Sequence, residues 1–84
     1  MICFTEHAWN DYLFWQQNDP QKISRINELL KAITRDSFKG IGKPEPLKGN
    51  LSGWWSRRID IEHRLVYKIE NKNIIVLQCR FHYA

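Results

Sequence analysis

Ile74-Ile75-Val76-Leu77-Gln78-Cys79-Arg80-Phe81-His82-Tyr83 begins as an unbroken apolar block and ends by alternating polar with apolar residues. In an extended chain, successive side chains point to opposite sides. The run therefore reads as a strand with Ile75, Leu77, Cys79 and Phe81 on a core face and Gln78, Arg80 and His82 on the other. Polar groups on that second side need water or partners. A strand that carries Arg and His to one side presents cations on a rigid platform, and function is expected there.

Two further apolar runs precede it, Gly53–Ile59 and His63–Ile69. The connections Asp60-Ile61-Glu62 and Asn71-Lys72-Asn73 are short, which predicts an antiparallel meander. In the middle run, Leu65, Tyr67 and Ile69 alternate with Arg64, Val66 and Lys68. If the first set faces the core, Arg64 lies on the side of Arg80 and His82. With Ile59 in the core, Arg58, Ser56 and Trp54 fall on that side as well.

Upstream, the spacing predicts two helices. Thr5 is placed to cap a helix from Glu6 to about Gln17, with Ala8, Tyr12 and Trp15 on its apolar face. Asp19 and Pro20 suit the cap and first position of the next. From Gln21 to about Arg35, Ile23, Ile26, Leu29, Leu30 and Ile33 form one stripe. Ile2-Cys3-Phe4 reads as a short opening strand. Between the second helix and the meander, Asp36 to Asn50 holds Gly40, Gly42, Pro44, Pro46 and Gly49 and reads as a basic loop. The expected fold is α+β, in the order βααβββ, a helical hairpin packed on one face of a small, mainly antiparallel sheet.

The chain of 84 residues predicts one domain, residues 1–84. Hydrophobic content of 43% and charged content of 26% are those of a soluble globular protein. The net charge of +4 favours a polyanionic partner without identifying it. No apolar stretch approaches the roughly 20 residues of a membrane span, and the N-terminus lacks a secretory signal pattern. A cytoplasmic location is expected, with Cys3 and Cys79 reduced and buried.

The open sheet face thus collects Arg58, Arg64, Arg80 and His82 beside the basic loop. A solvated face with scattered charges is the plainer alternative, but three arginines on one face repel one another unless an anion lies among them. Arginine is also shaped for bidentate phosphate contact. Within Lys43-Pro44-Glu45-Pro46-Leu47-Lys48, two prolines restrict the backbone around Glu45 and so aim its carboxylate. It could accept a proton from a nucleophile; a solvated surface Glu is the ordinary case. His82 could act as a general acid, and Tyr83 could stack on a base or bond a phosphate. His7 and His63 read as ordinary. Cys3-x-x-x-His7 and Cys79-x-x-His82 resemble a zinc ligand set, but Cys79 and His82, three apart on a strand, point to opposite faces. Neither a metal nor a cofactor is expected.

Gly42-Lys43-Pro44-Glu45-Pro46-Leu47-Lys48, Asn50-Leu51-Ser52-Gly53, Trp55-Ser56-Arg57-Arg58-Ile59, Glu62-His63-Arg64-Leu65-Val66-Tyr67 and Cys79-Arg80-Phe81-His82-Tyr83 together resemble the YoeB branch of the RelE/ParE superfamily of bacterial toxins. The likeness spans essentially the whole chain, including Trp9 to Leu13. It implies a RelE-like, microbial-RNase-type fold and the toxin of a type II toxin–antitoxin pair. The implied activity is a ribosome-dependent, metal-independent mRNA endoribonuclease that cuts at the A site and inhibits translation. On matching positions it implies Glu45 as general base, His82 as general acid, Arg64 as the phosphate stabiliser and Tyr83 as completing the site. Lys48 and Arg58 match basic residues lining the same cleft, and the strand pattern adds Arg80 as a substrate-binding candidate. Implied partners are a YefM-like cognate antitoxin, the ribosome with its mRNA, and a second copy of the toxin. Related gyrase-inhibiting toxins, which bind without cutting, lack the Glu/Arg/His set and are the alternative. Ala84 follows the terminal Tyr of the family pattern and displaces the terminal carboxylate from Tyr83.

Overall fold

The computed structural model describes residues 1–82. In chain order these form β1 (Ile2–Phe4), α1 (Glu6–Asn18), α2 (Pro20–Arg35), β2 (Glu45–Pro46), a 3₁₀ turn (Gly49–Leu51), β3 (Trp55–Arg58), β4 (Arg64–Glu70) and β5 (Asn73–Gln78). Tyr83 and Ala84 lie outside the described residues.

Thr5 caps α1 as its sequence position requires, its hydroxyl accepting the amide of Ala8 at 3.0 Å. Asp19 differs from expectation. Pro20 opens α2, but the Asp19 side chain makes no capping bond; its carbonyl accepts from Lys22 N at 3.0 Å instead. Joined only through Asp19, the helices fold back on one another, and Tyr12 Oη donates across the hairpin to Asn27 Oδ1 at 2.8 Å. The stripe on α2 buries Ile26, Leu29, Leu30 and Ile33 against Leu65, Tyr67, Ile74 and Val76 of the sheet. Each such side chain contributes about 1.5–3 kcal/mol by leaving water.

The sheet runs in the order β1-β5-β4-β3-β2. β1 lies parallel to β5, and every other neighbouring pair is antiparallel. The predicted meander is therefore present, and the fold is α+β with the helical hairpin on one sheet face. The loop adds one element to the expected order. Glu45 and Pro46 pair with β3 as a two-residue edge strand, giving five strands. Pro46 is tolerated because Leu47 N bonds Trp54 O, which turns the position 46 nitrogen toward the open edge, where no ladder bond is lost.

The phase of β5 also differs. Ile74 and Val76, not Ile75 and Leu77, face the core. Tyr67 pairs with Val76 but Val66 pairs with Gln78, so Leu77 is an unpaired bulge residue. The extra residue inverts the alternation beyond it. Cys79 is thereby buried as expected, with Gln78 on the opposite side. The strand stops at Gln78, and Phe81 is 52% exposed rather than in the core. Both cysteines are free thiols, Cys79 buried and Cys3 only partly so.

Candidate active site

Antiparallel partners share a face, so the register lays out the side of the sheet away from the helices row by row. One row runs Glu45, Ser56, Val66, Gln78. The row two residues along holds Arg58 opposite Arg64. Glu45 is thus diagonal to Arg58 and lies two strands from Arg64. With strands about 4.8 Å apart and a rise of about 3.4 Å per residue, the Glu45 and Arg64 Cα atoms are separated by about 12 Å. A Glu and an Arg side chain together span most of that distance. On the other flank, Leu47 N donates to Trp54 O at 2.9 Å, and Lys68 Nζ sits 4.7 Å from the centre of the Trp54 ring. The face is not bare, since Leu47, Ser56, Val66 and Arg64 are all buried.

Glu45 is exposed, as are Lys43, Lys48 and Arg58. The loop leading to Glu45 is anchored by Arg57, a residue that carried no role in the sequence reading. Arg57 faces the core and is fully buried. Its Nη2 donates to Asp36 O at 2.8 Å and Lys39 O at 2.9 Å, and its Nη1 to Ile41 O at 3.1 Å. Its Nε donates to Tyr67 Oη at 3.2 Å, while Tyr67 donates to Ser37 O at 2.6 Å. Burial raises the Tyr67 phenol above its ordinary range, opposed by the Arg57 cation. Gly42 passes so close that a Cβ there would lie 2.7 Å from Leu29 Cδ2; its carbonyl accepts Arg58 N at 2.7 Å.

Arg64 is 8% exposed. Its Nη1 is held by the carbonyls of Asp60, Ile61 and His63 at 3.0, 3.3 and 3.2 Å. That turn is itself pinned. Asp60 Oδ1 accepts the amides of Glu62 and His63, and its Oδ2 meets Lys22 Nζ at 2.8 Å. Burial alone would raise the Asp60 carboxyl, but the Lys22 bond and the two amides outweigh it and bring it down to about 2. Lys22 is raised in turn, chiefly by its bond to Asp60.

Beyond β5 the chain is gripped by α1. Cys79 N donates to Asp11 Oδ2 at 3.0 Å, and Trp15 Nε1 donates to Cys79 O at 2.8 Å. Burial pushes the Cys79 thiol up to about 12, with the Asp11 charge adding to it. Arg80 does not join the Arg58–Arg64 row. Its guanidinium stacks 3.4 Å from the centre of the Phe14 ring on α1 and 4.3 Å from that of Phe81. The tail leaves the sheet at Gln78, so strand alternation no longer directs it. Phe81 then returns to β4, its carbonyl accepting Arg64 N at 3.0 Å and its amide donating to His63 Nδ1 at 2.7 Å. His82 follows directly and is exposed; Tyr83 lies outside the described residues. Asp11, Trp15, Arg57 and His63 were therefore missed as organisers of the site. Position did signal two of them. Asp11 falls three after Ala8 and four before Trp15 on the buried helix face, and Arg57 shares the core-facing side of its strand with Trp55 and Ile59.

The profile of a family described as the YoeB-like toxin of bacterial type II toxin-antitoxin systems matches residues 4–83. The chain belongs to this family. A Synechocystis sp. protein named Toxin YoeB is 63% identical over 82 residues, covering 98% of this chain and 95% of that protein. A YoeB/ParE toxin from Agrobacterium tumefaciens superposes with a TM-score of 0.95 at 48% identity, covering 98% of each chain. The Staphylococcus aureus YoeB, solved as a heterotetrameric YoeB-YefM toxin-antitoxin complex, superposes with a TM-score of 0.93 at 50% identity, covering 99% of this chain and 97% of that one. The loop-to-tail face described above is thus a feature of a YoeB-like toxin. Among its described residues, no helix is long and apolar enough to cross a membrane.

Proposed function

We propose that this YoeB-like toxin is a ribosome-dependent endoribonuclease that cleaves mRNA at the A site. The observation that carries the reading is the two-row face, with Glu45 diagonal to Arg58, Arg58 opposite Arg64, and the tail bearing His82 bonded back to Arg64 N. A ribose 2′-hydroxyl is a weak nucleophile. Glu45 takes its proton as the oxygen attacks the adjacent phosphorus. Negative charge grows on the phosphoryl oxygens, where Arg64 stabilises it. Three carbonyls on Nη1 fix the plane of the guanidinium; the Nε–Nη2 edge is the one a phosphate takes side-on. His82 protonates the departing 5′-oxygen, and Tyr83 completes the site. Each acid or base contributes about 10²–10⁴-fold. None of these steps calls on a metal. Lys48 and Arg58 hold flanking phosphates, whereas Arg80, stacked on Phe14, serves the docking of the tail.

The partner reading follows from the same charges. A YefM-like antitoxin with an acidic, disordered segment would cover the cationic face and fold on binding. A second copy of the toxin is the further partner proposed.

Primer extension on ribosomes translating a defined message tests the proposal. The account expects cuts within the A-site codon, with downstream fragments bearing a 5′-hydroxyl that polynucleotide kinase labels without prior phosphatase. Fragments that need dephosphorylation first, or an uncut message on a toxin-bound ribosome, would refute the mechanism. The latter result would favour a binder that does not cut.

A further inference from the structure

Phe81 occupies a backbone conformation that an aromatic residue rarely adopts, with φ at 64°. Left-handed backbone at a bulky residue persists only where surrounding bonds over-determine it. Two bonds do so here, made with the consecutive residues His63 and Arg64 at the entry to β4. Arg64 N donates to the Phe81 carbonyl at 3.0 Å. The Phe81 amide donates to Nδ1 of the His63 side chain at 2.7 Å. The first is a backbone bond that any residue at position 64 could make. The second needs a side-chain acceptor at position 63.

The imidazole is built into its place. Its edge meets the Trp15 ring, with centroids 4.8 Å apart at an interplanar angle of 79°. Its own backbone amide is fixed by Asp60 Oδ1 at 2.6 Å. The side chain is 13% exposed. Because Nδ1 accepts the Phe81 amide, the ring proton resides on Nε2, which faces Glu62 Oε1 at 3.6 Å. Trp15, which orients the ring, also donates to the carbonyl of Cys79 at 2.8 Å. Helix, turn and tail therefore converge on one imidazole, and the next residue along the tail is His82.

We infer that His63 is a positioning residue: by accepting the Phe81 amide it holds the tail against the entry to β4 and so sets where His82, the next residue, is presented. The inference rests on the proposed roles of Glu45, Arg64 and His82. Without the Nδ1 acceptor, Phe81 relaxes toward extended backbone and the imidazole of His82 swings from its place. Misplacement by about 1 Å can lower a rate by about a hundredfold while leaving binding intact. His63 touches no substrate in this scheme and acts through Phe81.

Two substitutions separate this role from plain packing. His63→Asn puts an amide oxygen, Oδ1, at the same distance along the side chain as Nδ1 and keeps the acceptor. His63→Phe keeps a ring against Trp15 and removes the acceptor. Cleavage of ribosome-bound mRNA is followed in single turnover at saturating toxin, and ribosome affinity and amide exchange at Phe81 are measured on the same samples. Glu45→Gln is run in parallel. The expected result is a cleavage rate about a hundredfold lower for His63→Phe, with ribosome affinity unchanged and Phe81 protection lost. His63→Asn should recover most of the rate and the protection. Equal impairment of the two variants would show that the acceptor does not by itself hold the tail and would overturn the inference. So would wild-type cutting by His63→Phe while Glu45→Gln is dead. Wild-type cutting by Glu45→Gln would overturn the reading of the site itself, and His63's part with it.

Discussion

Arg58 and Arg64 stand directly opposite one another across the β3–β4 pair, on the sheet face away from the helices. Two cations so placed repel, typically by about 0.2–1 kcal/mol for opposed like charges. The burden falls unevenly. Arg64 is buried and anchored to three carbonyl oxygens, whereas Arg58 is exposed. Arg58→Gln is therefore expected to leave stability unchanged or raise it by up to about 1 kcal/mol. The same change should weaken ribosome binding and lower its salt dependence by about one phosphate contact. Urea melts and binding titrations over a range of salt would check the pair of outcomes.

Arg57 holds the opposite kind of arrangement, a buried cation satisfied by three backbone carbonyls and a phenol. Lysine lacks the fork that reaches all of them. Arg57→Lys should cost about 2–4 kcal/mol by leaving buried acceptors without donors. The loss should show as a lower urea midpoint. Because these carbonyls belong to the loop ahead of Glu45, hydrogen exchange should accelerate at residues 36–42 before it does so in the helices.

Asp60 supplies a pH signature. Its carboxyl lies at about 2 in the folded chain against an ordinary 3.8. A depressed carboxyl contributes stability that is present above its unfolded value and lost as pH falls through the folded one. Part of the protein's stability should thus disappear between about pH 4 and pH 2. Asp60→Asn should be less stable than the parent at pH 6, with a shallower loss across that window. Thermal melts at stepped pH measure both.

The cysteines should differ in reactivity. Cys79 is buried with its thiol pushed up to about 12, while Cys3 is only partly buried. Thiolate is the reactive form. Iodoacetamide at pH 8 should modify Cys3 in the folded protein and spare Cys79 until denaturant is added. Peptide masses before and after unfolding give the answer.

The fold was legible wherever the pattern was local. The α2 stripe, the Thr5 cap and the alternation of Leu65 and Tyr67 against Arg64 and Val66 each depend on neighbours a few residues apart, and each stands in the structure. The phase of β5 was not legible, because a bulge at Leu77 is set by pairing with β4 and leaves the local pattern looking regular. Arg80 was misplaced for the same reason. Once β5 ends at Gln78, the tail is directed by Asp11, Trp15 and Phe14, which lie more than 60 residues earlier in the chain. The pairing of Glu45 with Ser56 was hidden by two prolines that argue against a strand, although an edge needs fewer donors. For the site, alternation set Arg58 and Arg64 on one face. Asp11 and Arg57 stood at core-facing positions in the pattern, but what each holds, the tail and the loop, depends on contacts distant in sequence.

The central claim is that a loop carboxylate, an anchored guanidinium and a tail imidazole act on one phosphodiester. Cleavage of translated mRNA by Glu45→Gln and by His82→Gln, measured beside ribosome binding, addresses it most directly. Each variant should bind ribosomes as the parent does and cut at least about a hundredfold more slowly. Parental cutting by either one would contradict the account.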